Sequence, residues 1–434
     1  MNRRRAIEGI TAATLLGASR LPGSWAQSRA GAGSFALTPA SETFLEDMQR
    51  RGCLFFMEQA DPATGQVQDR AQNQGLNGAL DPRKLSSIAA TGFGLSALCV
   101  AHRRGYAPAA QIEKQVARTL AFHANMLHHE HGFFCHFNDI HTGEPIAKVE
   151  YSSIDTALLL CGVLTARAYF RTNEAIVRDA TTIYERVDWP WMLHSGTEFR
   201  MGWKTGSGFL DATWNHYCEL MMIPLLAMGS PTHAVGPDVW SAWSRPVMDY
   251  SGIRYISGKD PLFVHQYSHA WFDFRGKHDA YTDYFQNSVK ATEAHRLFCL
   301  SLGAPYSPEY WGVSASDSEQ GYHAWGGPPK FGDVNGTVVP CASGGSLAFA
   351  PAICLQTLQA LKQHFGDQAW GRYGLCDAFH PATGWYDPDA LGIDVGIALL
   401  MAENLRSGFV WEVFSRNPEV RLAMRRAGFM PNQA

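Results

Sequence analysis

Read for its apolar and polar positions, the chain is a succession of helices. Ile112, Val116 and Leu120 recur every four residues, the mark of an amphipathic helix with one buried face. Ser153–Phe170 and Trp214–Met228 are apolar nearly all round, the mark of helices enclosed by others. The same reading predicts helices over Ser41–Ala60, Ser86–Arg104, Pro108–His128, Glu174–Val187 and Pro237–Tyr250. Further ones are predicted over Tyr281–Leu302, Pro351–Phe365, Ile393–Arg406 and Pro418–Ala427. Two stretches alternate instead and predict hairpins: Gly132–Ile146, turning at Thr142-Gly143, and Thr197–Phe209, where Phe199, Met201 and Trp203 alternate. Residues 303–350 form a long Gly- and Pro-rich stretch, and loops of that length are commonly functional. About twelve helices suit an (α/α)6 barrel or an irregular α-solenoid, and no fixed-period repeat separates the two.

From Pro39 onward there is no linker, charge block or low-complexity tract, so residues 39–434 are expected to be one domain. Before it, Arg3, Arg4 and Arg5 precede the apolar run Ile10–Leu16, and Ser24-Trp25-Ala26 is a small-residue cleavage site. Residues 1–26 are expected to be an export signal of twin-arginine type and residues 27–38 a linker. That places the mature chain in the periplasm or outside the cell, with the twin-arginine (Tat) export machinery as a partner. The apolar run is too short to span a membrane, and no other long apolar segment follows.

Composition narrows the function. With 46% hydrophobic and 18% charged residues the chain is ordinary globular protein; its net charge of -4 and lack of basic runs disfavour a nucleic-acid partner. Thirteen Trp, 15 Tyr and 24 Phe chiefly fill a core, and they also suit a groove that stacks the apolar faces of sugar rings. The nine Cys contain no C-x-x-C pair and read as small buried hydrophobes.

Three carboxylates stand near the starts of apolar helices. Glu219 lies among Tyr217, Cys218, Leu220 and Met221, where burial would raise its pKa into the range of a general acid. Asp155 and Asp394 open the apolar runs after Ser153 and Gly392, positions that also suit a carboxylate stabilising a helix N-terminus. Two carboxylates flanking one bond are what glycoside hydrolysis needs. His265 and His269 share the spacing of a helical metal pair, but no third ligand accompanies them, and polar lining of a sugar groove is the better reading. Asp273 and Arg275 can pair with each other. No P-loop, nucleophile elbow or dinucleotide fingerprint is present.

The stretches SSIDTALLLCG, ELMMIPLLAMGSPTH, PLFVHQYSHAWFDFRG, YFQNSVKATEAHR, WGVSASDSEQGY, YGLCDAF and GIDVGIALLMAENLRSGFVW together resemble the glycoamylase-like family. It includes bacterial endo-β-1,2-glucanases (glycoside hydrolase family 144) and a domain of cyclic β-1,2-glucan synthases. The resemblance runs from about Phe44 to Phe429. It implies an all-α fold, a single (α/α)6 barrel with a few short hairpins and groove-forming loops, acting on β-linked glucan without metal or organic cofactor. Carried over residue by residue, it implies Glu219 as general acid, Asp394 as base, and Asp155 close to the cleaved linkage. It implies Asp69, Arg70, His265, His269, Arg275, Asp317 and Tyr322 as substrate-binding positions. The chain departs from the family pattern at Val395, Ala352, Asn335 and Pro224. The expected function is an exported glycoside hydrolase cutting β-glucan, with β-1,2-glucan foremost. A transglycosylase, an exo-acting glucosidase or a non-catalytic envelope glycan-binding protein are the alternatives.

Overall fold

The computed structural model describes residues 35–146, 149–258, 261–328 and 334–432. The expected export signal and most of the linker lie outside them. In chain order the helices are α1 (Pro39–Glu58), α2 (Ile88–Arg104), α3 (Ala109–Asn125), α4 (Ser153–Tyr169), α5 (Glu174–Glu185), α6 (Trp189–Leu193) and α7 (Met222–Gly229). Then come α8 (Asp238–Ser241), α9 (Tyr284–Ser301), α10 (Pro340–Gly344), α11 (Pro351–Ala369), α12 (Gly392–Ser407), α13 (Phe409–Ser415) and α14 (Pro418–Arg426).

These helices form an (α/α) barrel. The inner ring runs α2, α4, α7, then a pair of 3-10 turns (Leu262–His265 and Tyr267–Ala270), α10 and α12, which closes back on α2. Outside it, α1 packs on α12 and α2, α5 on α4, α14 on α7, and α11 on α10. The ring is drawn tight by residues without side chains. A Cβ on Gly162 would lie 2.0 Å from the Gly92 carbonyl oxygen, and one on Gly92 would lie 2.3 Å from that of Leu158, so α2 and α4 cross backbone to backbone. Gly396 meets Phe93 in the same way at the next seam, between α12 and α2. Where the inner wall is only 3-10 turns, polar contacts replace helix packing: Gln266 Nε2 donates to the Ala342 carbonyl and to Ser346 Oγ, each at 2.8 Å.

Apolar pattern and structure agree for the outer and fully buried helices and part company in two places. Trp214–Met228 is not one helix. Trp214–Cys218 is irregular, Glu219–Met221 is a 3-10 turn, and α7 starts only at Met222. Pro224 is the cause: it has no N–H to give the Leu220 carbonyl, and its ring would clash there in a continuous helix. Pro237–Tyr250 likewise yields only α8, followed by a hairpin of Val247–Tyr250 with Ile253–Ile256. The stretch 303–350 holds α10 and a short hairpin, Ala315–Ser316 with His323–Ala324. Gly132–Ile146 turns at Thr142-Gly143, where Gly143 N–H donates to the Asp139 carbonyl at 2.8 Å and Asn138 bridges Pro145, but its strand Phe137–Asp139 pairs with Leu85–Ser87. Thr197–Phe209 contains Gly202–Lys204 paired with Gly208–Phe209.

Candidate active site

The inner elements all start at one end of the barrel, and the side chains with chemistry gather there. Ser87 and Ser152 cap α2 and α4, each accepting from the backbone N–H three residues on. Ser152 Oγ also donates to Asp155 Oδ2 at 2.5 Å, which fixes the carboxyl at the mouth of α4. Asp155 and Glu150 flank one imidazole: His136 Nε2 lies 3.5 Å from Asp155 and Nδ1 3.5 Å from Glu150, all three buried.

Glu219 stands on the neighbouring wall and is buried. It lines a small cavity with Trp214, His216, Cys218, Phe263 and Val264. Trp214 Nε1 donates to Ser153 Oγ at 2.8 Å, tying this wall to the start of α4. The 3-10 turn Tyr267–Ala270 joins Glu219 to the far wall. Ser268 Oγ donates to the Glu219 carbonyl at 2.8 Å, while Tyr267 Oη lies 3.5 Å from Asp394 Oδ1. The sequence places Glu219 and Asp394 far apart, and adjacent residues of one turn hold them on facing walls.

Asp394, in the first turn of α12, belongs to a cluster of acids. The strand Arg70–Gln72 pairs antiparallel with Asp389–Leu391, and Gly392 N–H donates to the Asp69 carbonyl at 2.8 Å. That register puts Arg70 beside the start of α12. Its guanidinium bonds Asp69 Oδ2 at 3.0 Å and contacts Asp317 directly. Burial works against the charge of Arg70, yet Asp69 and Asp317 outweigh it and hold the guanidinium charged beyond its ordinary range. Arg83 bridges Asp81 and Asp389, with bonds of 2.7 and 2.9 Å. The Asp317 N–H donates to Asp377 Oδ2 at 2.7 Å. Burial, with Asp394 next, pushes the Asp377 carboxyl well above the usual carboxylate range. Burial pushes Asp387 up to about 7.

Two groups of ligand-type side chains among the described residues are close enough to share an ion: His136, Glu150, Asp155 and Asp317, Asp377, Asp387. Neither suits a metal. In the first, both imidazole nitrogens already face carboxylates. In the second, Arg70 occupies Asp317 and would repel a cation, and a backbone N–H occupies Asp377.

The structure clusters Asp69, Arg70 and Asp317 beside Asp394, links Glu219 to Asp394 through the Tyr267–Ala270 turn and sets Asp155 against His136 at the mouth of α4, while Tyr322 is half-buried in the turn of the 315–324 hairpin. It removes Arg275. That residue pairs with Asp273 at 2.9 Å and stacks 4.0 Å over Trp411, beside Asn404–Gly408 at the other end of α12. The separation along α12 from Asp394 to Gly408 is on the order of 20 Å at the helical rise. His265 and His269 are corrected as well. Both are core residues on two 3-10 turns rather than one helix face. His265 bonds Tyr217 Oη at 3.1 Å, and His269 bonds Ser288 Oγ at 3.1 Å among Phe274, Phe285 and Phe349. Sequence reasoning missed His136, Glu150, Arg83, Asp377 and Asp387. The one signal available was Asp377 inside YGLCDAF and the Asp387-Pro388-Asp389 run just before α12.

The Glycoamylase family model, described as "Putative glucoamylase", matches residues 211–418, a span that contains Glu219, Asp317, Asp377 and Asp394. The stretch from Asp211 to Pro418, just under half of the chain, is similar to that family. Over 429 residues it is 24% identical to the exo beta-1,2-glucooligosaccharide sophorohydrolase (non-reducing end) of Parabacteroides distasonis. That match takes in 89% of this chain but only 58% of the relative, so the chain spans under two thirds of that relative's length. Among solved structures, a "putative glucoamylase" from Bacteroides uniformis superposes with a TM-score of 0.84 at 26% identity, covering 91% of this chain and 99% of that one. The endo-beta-1,2-glucanase from Chitinophaga pinensis, solved with sophorotriose and glucose, gives 0.83 at 24% identity over 91% and 99%. The glycoamylase-like fold thus extends past the matched span to α1 and α2, which carry Asp69 and Arg70 on the segment between them.

Proposed function

We propose that this protein is a glycoside hydrolase that cleaves β-linked glucan, with β-1,2-glucan as its substrate class. The observation that carries the reading is the seating of Glu219 and Asp394 on facing walls, held by the adjacent residues Ser268 and Tyr267. Glu219 is the proton donor. It sits in an apolar wall shielded from water, where the neutral carboxyl is the form cheapest to bury. It passes its proton to the glycosidic oxygen as the bond to the sugar breaks. Asp394 is the base that takes a proton from the attacking water. Asp155, locked by Ser152 and His136, is placed to accept a sugar hydroxyl beside the reacting bond. Trp214 and Phe263 offer the flat faces that sugar rings stack on. The names of the relatives, all read as names of other proteins, support β-1,2 linkage as the first to test.

The test is to incubate the purified protein with linear β-1,2-glucan and size the products. Discrete shorter oligomers are expected, and binding without product release would make it a glycan-binding protein instead. Activity is expected to survive chelation, because the acid clusters are occupied by Arg70, backbone N–H groups and an imidazole. Loss on chelation with recovery on adding calcium or zinc would overturn that.

Export by the twin-arginine route also belongs to this proposal. It rests on Arg3–Arg5 and gains support from nine cysteines that are all buried, with no disulfide among the described residues, which suits a chain that folds before it meets an oxidising compartment. Unchanged export after replacing Arg3, Arg4 and Arg5 by Lys would count against it.

A further inference from the structure

We infer that Asp377 is a carboxylic acid that donates a hydrogen bond to Asp394 and thereby sets which oxygen of Asp394 faces the water it activates. Asp377 is a positioning residue, and its role rests on the reading of Asp394 as the base. The two carboxyls line the same small space of about 20 Å³ at the foot of α12, and Asp377 Oδ1 is buried with no hydrogen-bond partner among the described residues. Two ionised carboxylates set side by side can only repel, because each is then only an acceptor; a proton on one lets it donate to the other.

The surroundings decide which one. Asp394 lies in the first turn of α12, a sixteen-residue helix whose N-terminal dipole favours negative charge. Tyr267 Oη adds a donor on the far side of Asp394, at 3.5 Å. Asp377 has only 2% of its surface exposed, and among the described residues no cation bonds to it: Arg70 is taken by Asp69 and Asp317. Its Oδ2 accepts the Asp317 N–H at 2.7 Å, which leaves Oδ1 to hold the proton toward Asp394. The backbone is pinned by Asp377 N–H donating to the Asp389 carbonyl at 3.1 Å, so the carboxyl cannot swing away.

The ionisable groups facing Asp377 are Asp394 from α12, Asp317 and Asp387 from the flanking loops, and Arg70 at longer range. Tyr373, Cys376 and, from α10, Cys341 complete the set, while α1 brings only Met48 and Gly52. The near neighbours are therefore acids or neutral groups, and burial with Asp394 beside it favours the protonated form of Asp377. When alkali removes that proton, two like charges meet, Asp394 turns, and cleavage falls.

Infrared difference spectroscopy tests this without depending on turnover. Glu219 and Asp387 also contribute protonated-carboxyl absorption at neutral pH, so the reading is the wild-type minus Asp377→Asn difference, where a C=O band that shifts in heavy water is expected. No such band in that difference would overturn the inference. In Asp377→Asn the amide carbonyl still accepts the Asp317 N–H and the NH2 still donates to Asp394. It should retain most of the cleavage at neutral pH and lose the alkaline limb of the pH profile. Asp377→Ala should lower kcat by up to about 10²-fold with KM little changed, the scale of a misaligned catalytic group. Asp377→Asn as inactive as a folded Asp377→Ala, with thermal melts confirming both folds, would also overturn it. If the wild type shows the band but cleaves no glucan, the shared proton stands and the proposed hydrolysis falls.

Discussion

The two ends of this barrel carry opposite chemistry. At the N-terminal ends of the inner helices stand Asp155, Glu219, Asp377, Asp387 and Asp394, with Arg70 and Arg83 as the cations bonded among the acids. At the other end lies a cavity of about 860 Å³, edged by Arg275, Lys277, Arg421 and Arg425. Cationic groups close the inner helices there too: Arg103 and Arg104 on α2, Arg167 on α4, Arg406 on α12. The helix dipole accounts for the asymmetry, since N-termini favour carboxylates and C-termini favour cations. What separates the two ends is the state of their charges. Arg275, Lys277 and Arg421 are spent on Asp273 and on backbone carbonyls, whereas no cation among the described residues bonds directly to Asp377 or Asp387.

The contrast is sharpest in activity. Glu219→Gln should lower glucan cleavage by about 10²–10⁴-fold, the scale of acid catalysis, with substrate binding little changed because the amide still hydrogen-bonds. Arg275→Ala at the opposite end should leave cleavage near wild type. Wild-type cleavage by a folded Glu219→Gln variant would make Glu219 a structural carboxyl and break the comparison.

Next in size is the seam that holds the acidic end in register. Gly162→Ala puts a methyl against the Gly92 carbonyl, and overpacking of this kind costs about 1–3 kcal/mol, read as a lowered Tm. An unshifted Tm would mean that α2 and α4 can part without loss.

The pH response should differ in sign between the two kinds of buried group. His265, His269 and His295 are held near 3 by burial, so the unfolded chain binds protons that the fold refuses as pH drops below about 6.5. Stability from these histidines is therefore lost toward acid. Asp387 is raised to about 7, so there the fold holds a proton that the unfolded chain releases above about 3.8. Its contribution is lost as pH rises through 7. Comparing Tm against pH for wild type and Asp387→Asn should show the variant flatter between about pH 4 and 7. Parallel curves would place Asp387 in water.

The smallest effect is expected at the exposed Arg275–Asp273 pair, where Arg275→Ala should change stability by about 1 kcal/mol or less. A larger loss would show that its stacking on Trp411 matters more than the ion pair.

The helices that the apolar pattern predicts are those whose own residues decide the matter. α4 and α12 are apolar on every side, α3 and α5 on one, and capping residues such as Ser152 and Asn173 mark where α4 and α5 begin. The carboxylates Asp155, Glu219 and Asp394 were legible for the same local reason, since an acid at the head of an apolar run is costly unless it has a purpose or a partner. Partners were not legible. Glu150, His136 and Asp155 meet because a hairpin returns to the mouth of α4, and Arg70 reaches Asp317 across 247 positions because a three-residue strand pairs with the one before α12. The spacing of His265 and His269 suggested one polar helix face, but 3-10 turns and surrounding aromatics made both core residues. Arg275 lay in a motif with them and was carried by the chain to the far end. Local sequence determines which segments become helices and which of their faces avoid water, because those costs are incurred residue by residue. Which charges meet, and which are left to share a proton, was decided only when the inner ring closed and brought distant segments within hydrogen-bond reach.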